Sequence, residues 1–229
     1  GGGYSARPGE LALSNHGVLF LDEMPEFSRI TLEALRQPLE DRIITVARAR
    51  HVMEYPANFI LVATANPCPC GFYGSAKDCQ CSAHLIQRYQ QKLSGPILDR
   101  IDLFVTVDTV EHALLLKSSA DPALDQHVRQ QVATARILQQ QRFDSEKKLN
   151  SDMTNHDIIE HSHLDSESES LLNKAAEHLH ISARSYMRLL KVARTIADLE
   201  KSEAILAVHI SEALQYRSPV FGAAIHKLS

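Results

Sequence analysis

The sequence predicts an α/β core followed by an all-α domain, and two observations carry that prediction. Two short runs, residues 18–21 in GVLFLDEMPEF and residues 58–64 in NFILVAT, are continuously apolar and each gives way to polar residues. Continuous rather than alternating apolar character is expected of a strand buried on both faces in a parallel sheet. From about Val110 onward strand-like runs stop, and Gln, Glu, Lys, Ala and Leu dominate. The change divides the chain into domains at 1–110 and 111–229, the first with parallel strands and the second helical.

Composition narrows the class. With 229 residues, 44% of them hydrophobic, the chain is long enough for a substantial core. No apolar stretch approaches the roughly 20 residues of a membrane span, and the first residues, GGGYSARPGE, lack the apolar core and cleavage site of a signal peptide. A soluble, cytoplasmic protein with no membrane partner is the expectation. A formal net charge of -4 excludes a broadly basic surface, so contact with nucleic acid has to come from local positive loops. The four cysteines all fall between Cys68 and Cys81, a local cluster rather than a framework of long-range disulfides.

In chain order, residues 1–16 read as a loop and a short helix, with residues 14–17 turning into the first strand. Ser28 is an N-cap candidate for a helix with the apolar stripe Ile30, Leu32, Leu35 and Leu39, disturbed near its end by Pro38. Residues 43–55 alternate as two short strands around a basic tip near residues 48–51, a β-hairpin that contains Arg48 and Arg50. The second buried strand, 58–64, leads to Asn66. A cysteine loop and a helix at 83–93 follow, Ser94-Gly95-Pro96 breaks that helix, and residues 102–107 read as a third strand. Helices are expected at 125–142, 153–160, 167–179, 183–199 and 203–215, with residues 164–170 a polar connection and helix cap.

Open α/β sheets bind ligands at the carboxyl ends of their strands, which is where Asp22, Glu23 and Asn66 stand. In a phosphate-handling site the first carboxylate holds Mg²⁺, the second polarises a water for attack on a phosphoryl group, and an amide positions that water. An apolar strand followed by Asp-Glu also opens many ordinary solvent turns, and an asparagine there is also a common turn residue. Arg100 lies between Asp99 and Asp102 and reads either as a local surface ion pair or as a cation reaching a neighbouring subunit's site. Arg184 and Arg188, four residues apart, share a helical face, as a solvated edge or as cations of a lid over a nucleotide. Cys68, Cys70, Cys79 and Cys81 form a C-x-C-x8-C-x-C arrangement, which fits a tetrahedral zinc site, with His84 in reserve, or reduced thiols in a compact loop. His156, His161 and His163 sit on a polar connector and carry no site.

These motifs together carry a family resemblance. GVLFLDEMPEF resembles a Walker B motif, VATANP sensor 1, GPILDRID an arginine-finger segment and SARSYMRLLKVARTIADLE the sensor 2 helix of an AAA+ ATPase, in matching order. More narrowly, GGG-x4-PGELALSNHGVLFLDE, the NPCPCGFYG loop and LLKVARTIADLE…HISEALQYR resemble the magnesium-chelatase-like bacterial proteins of the ComM/YifB group, from Gly1 to about Arg217. The resemblance implies a partial P-loop AAA+ α/β core followed by a helical lid, with ATP and Mg²⁺ as cofactors. It implies Asp22 for Mg²⁺, Glu23 for water activation, Asn66 as sensor 1, Arg100 as a finger given in trans, and Arg184 as sensor 2 with Arg188 the alternative. It further implies a homo-hexameric ring with ATP that acts on DNA as a branch-migration helicase in natural transformation. In such a ring the hairpin tip with Arg48 and Arg50 lines the pore and meets phosphates. The clade also contains the motor subunits of magnesium chelatase, a second functional reading; a third is a non-catalytic binding module. No G-x4-G-K-[ST] phosphate loop occurs in the sequence. The expectation is therefore a C-terminal fragment of the motor, inactive alone.

Overall fold

The computed structural model describes residues 8–48, 51–107 and 121–217, with the backbone alone at residues 47, 48 and 51. They gather into two compact units that meet in sequence at Ile101 and Asp102.

The first unit is built on a parallel pair. After helix α1 (Glu10–Leu13), strand β1 (Val18–Leu21) pairs with β4 (Ile60–Ala63), with Leu19 opposite Leu61 and Leu21 opposite Ala63. The entry to both strands is fastened, because His16 N–H donates to Asn58 O at 2.6 Å and Asn58 N–H to Asn15 Oδ1 at 2.9 Å. Leu19, Leu21, Phe59 and Leu61 join one apolar cluster with Met24, Leu32, Leu35, Leu93 and Ile97. On the opposite face Val18, Phe20, Ile60 and Val62 are exposed. The expectation of strands buried on both faces is thus corrected. Among the described residues, helices cover only one face of this two-stranded sheet, so the continuously apolar runs are half-buried in fact.

Between the paired strands lie two short helices and a hairpin. Ser28 caps α2 (Arg29–Ala34) by accepting the Thr31 N–H at 3.2 Å. The single expected helix is instead two, α2 and α3 (Arg36–Asp41), meeting at Leu35. Pro38 supplies the reason: it has no N–H to bond back to Ala34, the last residue of α2, and its ring crowds that carbonyl. Strands β2 (Ile43–Arg48) and β3 (His51–Pro56) form the expected antiparallel hairpin, with Arg48 opposite His51. The Arg48 side chain and all of Arg50 lie outside the described residues. Beyond β4, residues 64–82 hold the cysteine loop; then Ser82 caps α4 (Ala83–Gln90), and α5 (Gly95–Leu98) follows.

The second unit is helical. It comprises α6 (Pro122–Phe143), α7 (Asn155–His161), α8 (Ser166–His178), α9 (Ala183–Leu199) and α10 (Ala207–Gln215). α6 starts earlier than the apolar pattern suggests because Asp121 accepts the Ala123 and Leu124 N–H groups and Pro122 fits the first turn. Residues 102–107 do not form the expected strand. Phe104 N–H donates to Tyr216 O at 2.7 Å, but no strand lies alongside among the described residues, and Leu103, Val105 and Val107 are exposed. A β-prone run without a neighbour has nothing to complete its ladder.

The α6, α9 and 3₁₀ (Asn150–Asp152) segments are joined by a buried polar network. Asp198, fully buried, accepts from Arg142 at 2.8 Å, from Asn150 Nδ2 at 2.7 Å and from Arg194 Nε at 3.1 Å. Arg194, also buried, donates further to the Glu203 carbonyl at 2.8 Å and to that of Ser202. Removing one member of such a set leaves its buried partners uncompensated. Asp198→Ala is expected to destabilise the helical unit by about 3–5 kcal/mol, read from urea unfolding followed by helical circular dichroism. A loss below about 1 kcal/mol would place the network no higher than a surface ion pair.

Candidate functional site

The parallel register puts the ends of β1 and β4 side by side, and the residue after each strand makes the first contact. Thr64 Oγ1 donates to Asp22 Oδ1 at 2.6 Å and accepts the Glu23 N–H at 2.9 Å. The Met24 N–H donates to Thr64 O at 2.8 Å. One threonine therefore orients one Asp22 oxygen and pins the next turn, leaving the other oxygen of this exposed carboxylate for a ligand. The backbone turns sharply at Glu23, whose φ of 48° and ψ of 51° are left-handed, into the 3₁₀ turn Met24–Glu26 with Met24 and Pro25 buried beneath it. A non-glycine residue in that region is uncommon, and such conformations concentrate at functional sites.

Asn66 is exposed just beyond β4, on the same edge. The site's negative charge registers on Tyr89 of α4: burial first, then the Glu26 and Glu23 carboxylates, push its phenol up to about 12. Asp22 and Glu23 thus meet Thr64 at one end of the pair, and Asn66 follows Thr64 by two residues. Thr64 is the residue that sequence reasoning passed over. Counted as the last apolar-run residue, it stands in fact one step past the strand, facing Asp22; only the register with β1 reveals that.

The arginines are engaged within their own units. Arg100 Nε lies 3.1 Å from Glu40 Oε2 and its Nη1 donates to Pro96 O at 2.6 Å, so its side chain is folded down and only 9% exposed. In the helical unit Arg188 donates to Asp102 Oδ1 at 2.6 Å, while Arg184, in the first turn of α9, is exposed. Both sit on one face of that helix.

A second cluster lies in the loop after Asn66. The sulfurs of Cys68, Cys70, Cys79 and Cys81 all lie within 4.8 Å of one another, and His84 is not among them. Cys68 is fully buried and the other three partly so. The Phe72 amide, followed by the Cys68 thiol, lowers Cys70 to about 6. The four donors are compatible in number and type with a zinc ion.

Thr64→Val keeps the shape of the residue and removes its hydroxyl. The Glu23 amide should then exchange with deuterium faster than in the wild type, with a stability loss of about 1 kcal/mol. Unchanged exchange at Glu23 would show that the threonine does not hold the turn.

The profile of the family described as "Magnesium chelatase, subunit ChlI" matches residues 1–115, and that of "Magnesium chelatase, subunit ChlI C-terminal" matches residues 124–217. The chain is 41% identical over 218 residues to the uncharacterized protein YifB of Escherichia coli, covering 95% of this chain and 42% of YifB. It is 41% identical over 220 residues to the competence protein ComM of Haemophilus influenzae, covering 96% of this chain and 42% of ComM. A more distant similarity, 26% over 215 residues, links it to the DNA replication licensing factor Mcm6 of Drosophila melanogaster, across 90% of this chain and 25% of Mcm6. The chain thus spans less than half the length of the curated relatives it matches. Matches to both profiles, and 41% identity to YifB and ComM along nearly its whole length, mean that the chain belongs to the magnesium-chelatase-like AAA+ family, in the group that contains YifB and ComM.

Proposed function

We propose that the whole protein is a hexameric AAA+ ATPase that couples ATP hydrolysis to movement along DNA, as branch migration in recombination during natural transformation. The observation that carries this reading is the strand-end arrangement, with Asp22 held by Thr64 and Glu23 turned out beside it. The likeness to a competence protein and, distantly, to a replication licensing factor supports DNA over a tetrapyrrole-linked magnesium chelatase.

Bound Mg-ATP would supply a phosphoryl group made electrophilic by the metal. Asp22 is the residue to hold that metal, through the oxygen that Thr64 leaves free or through water. Glu23 accepts a hydrogen bond from the attacking water and Asn66 orients it. Arg184 gives a lid cation near the phosphates, with Arg188, which donates to Asp102 Oδ1, the alternative. Arg100 serves the neighbouring subunit, for which it must leave Glu40. The 229-residue chain by itself, without a G-x4-G-K-[ST] loop to cradle the β- and γ-phosphates, is expected not to hydrolyse ATP.

In the whole protein, Glu23→Gln should keep nucleotide binding near the wild-type level and lower hydrolysis by about 10²-fold or more. Arg100→Ala should be equally slow. Rings mixed from the two variants should recover part of the activity, because some interfaces then pair an intact Glu23 with an intact Arg100. Mixed rings that form and stay inactive would remove Arg100 from this role.

Arg48 and Arg50, in the basic tip expected at residues 48–51, are the proposed phosphate contacts. Replacing both with alanine should weaken DNA binding and reduce the slope of log affinity against log salt by about 2, since each lost phosphate contact releases about one counterion fewer. An unchanged slope would exclude the hairpin from the DNA path.

A further inference from the structure

We propose that Cys68, Cys70, Cys79 and Cys81 bind one zinc ion as four thiolates, and that this ion braces the chain segment directly after Asn66. The inference does not depend on nucleotide or DNA.

The sulfur positions are compatible with a tetrahedron: Cys68, Cys70 and Cys79 form one face of about the right size, and the Cys81 sulfur lies within 4.8 Å of the others. With Zn–S near 2.3 Å, the edges of a regular ZnS₄ unit are about 3.8 Å. The measured separations are 3.3 Å for Cys68 and Cys70, 3.7 Å for Cys68 and Cys79, and 3.6 Å for Cys70 and Cys79. All four cysteines are free, and these distances are far beyond the roughly 2.05 Å of a disulfide. Simple apolar packing does not account for the set either. A free cysteine packs as a small buried hydrophobe, yet three of these four are only partly buried while converging on one point.

The backbone around the sulfurs is arranged for anions. Tyr73 N–H donates to Cys68 Sγ at 3.4 Å. An amide donated to a sulfur in this way stabilises a metal-bound thiolate from the next layer out. Gly71, at φ +80°, makes this possible: its left-handed turn, closed by its N–H to Cys68 O at 3.0 Å, brings the Tyr73 amide to the Cys68 sulfur. On binding, the four thiols release their protons to solvent, and Zn²⁺ with four thiolates leaves a unit of charge −2. The ligand set is complete, so no position stays open for a substrate, and the site is structural rather than catalytic.

The brace follows from connectivity. Cys68 is two residues past Asn66, and Pro67 between them accepts a hydrogen bond from the buried Gln90 side chain of α4 at 3.0 Å. Residues 64–82 contain no helix or strand, so the ion is the main cross-link that would hold this stretch in one conformation.

The 229-residue chain, purified without chelator, should contain about one zinc. Cobalt added to metal-free wild type should give the thiolate charge-transfer and tetrahedral ligand-field absorption, saturating at about one equivalent. Cys70→Ser should lose the thiolate-rich spectrum. Amides of residues 64–70 should exchange with deuterium at least tenfold faster in metal-free than in zinc-loaded chain. Wild-type chain that takes up neither zinc nor cobalt while four thiols titrate freely would overturn the site. Stoichiometric zinc with equal exchange at 64–70 would overturn the brace and leave the metal.

Discussion

Two strands that run in parallel bring like ends together, and here the shared end lies where Leu21 faces Ala63. The roles proposed for Asp22, Glu23 and Asn66 depend on that coincidence. A hairpin would have put Asp22 and Thr64 at opposite ends. Parallel pairing needs a long crossover, and the chain provides it with α2, α3 and the β2–β3 hairpin. The crossover also packs the sheet: Leu32 and Leu35 from its helices sit under Leu19 in one cluster.

The site's polar groups are then positioned by backbone bonds more than by side-chain packing. Thr64 fastens Asp22 and the Glu23 amide, and the Thr64 carbonyl fastens Met24. On the other strand, Pro67 is tied to Gln90 and Cys68 is buried. Each carboxylate or amide with a proposed chemical role thus has a structural neighbour within a residue or two. That is the arrangement expected where charge must be presented to a ligand without being free to collapse onto the protein.

Much of this was legible in the residues. The apolar runs located β1 and β4, Ser28 and the polar stretch 164–170 marked helix starts, and the acids and Asn66 were placed at strand ends. What escaped were properties of pairs rather than of segments. Thr64 became a site residue only through register. Residues 102–107 have strand composition but lack a partner among the described residues, and β1 and β4 are covered on one face where their composition suits two. Pro38 was seen as a disturbance; that it divides a helix follows from Ala34, four residues back. Arg100 shows the same limit, since a flanking pair of aspartates suggested its partners and did not point to Glu40 of α3, which the structure sets against it.

The left-handed backbone at Glu23 has a consequence for variation at that position. Glycine, and to a lesser degree asparagine, would adopt φ near 48° at lower cost than glutamate does. Folding and chemistry therefore rank the amino acids at position 23 in nearly opposite orders. A population of variants screened only for yield of folded protein should drift toward glycine there and lose its carboxylate without any visible defect. Retention of the acid under a screen for turnover, and its loss under a screen for solubility, would separate the two pressures at a single residue.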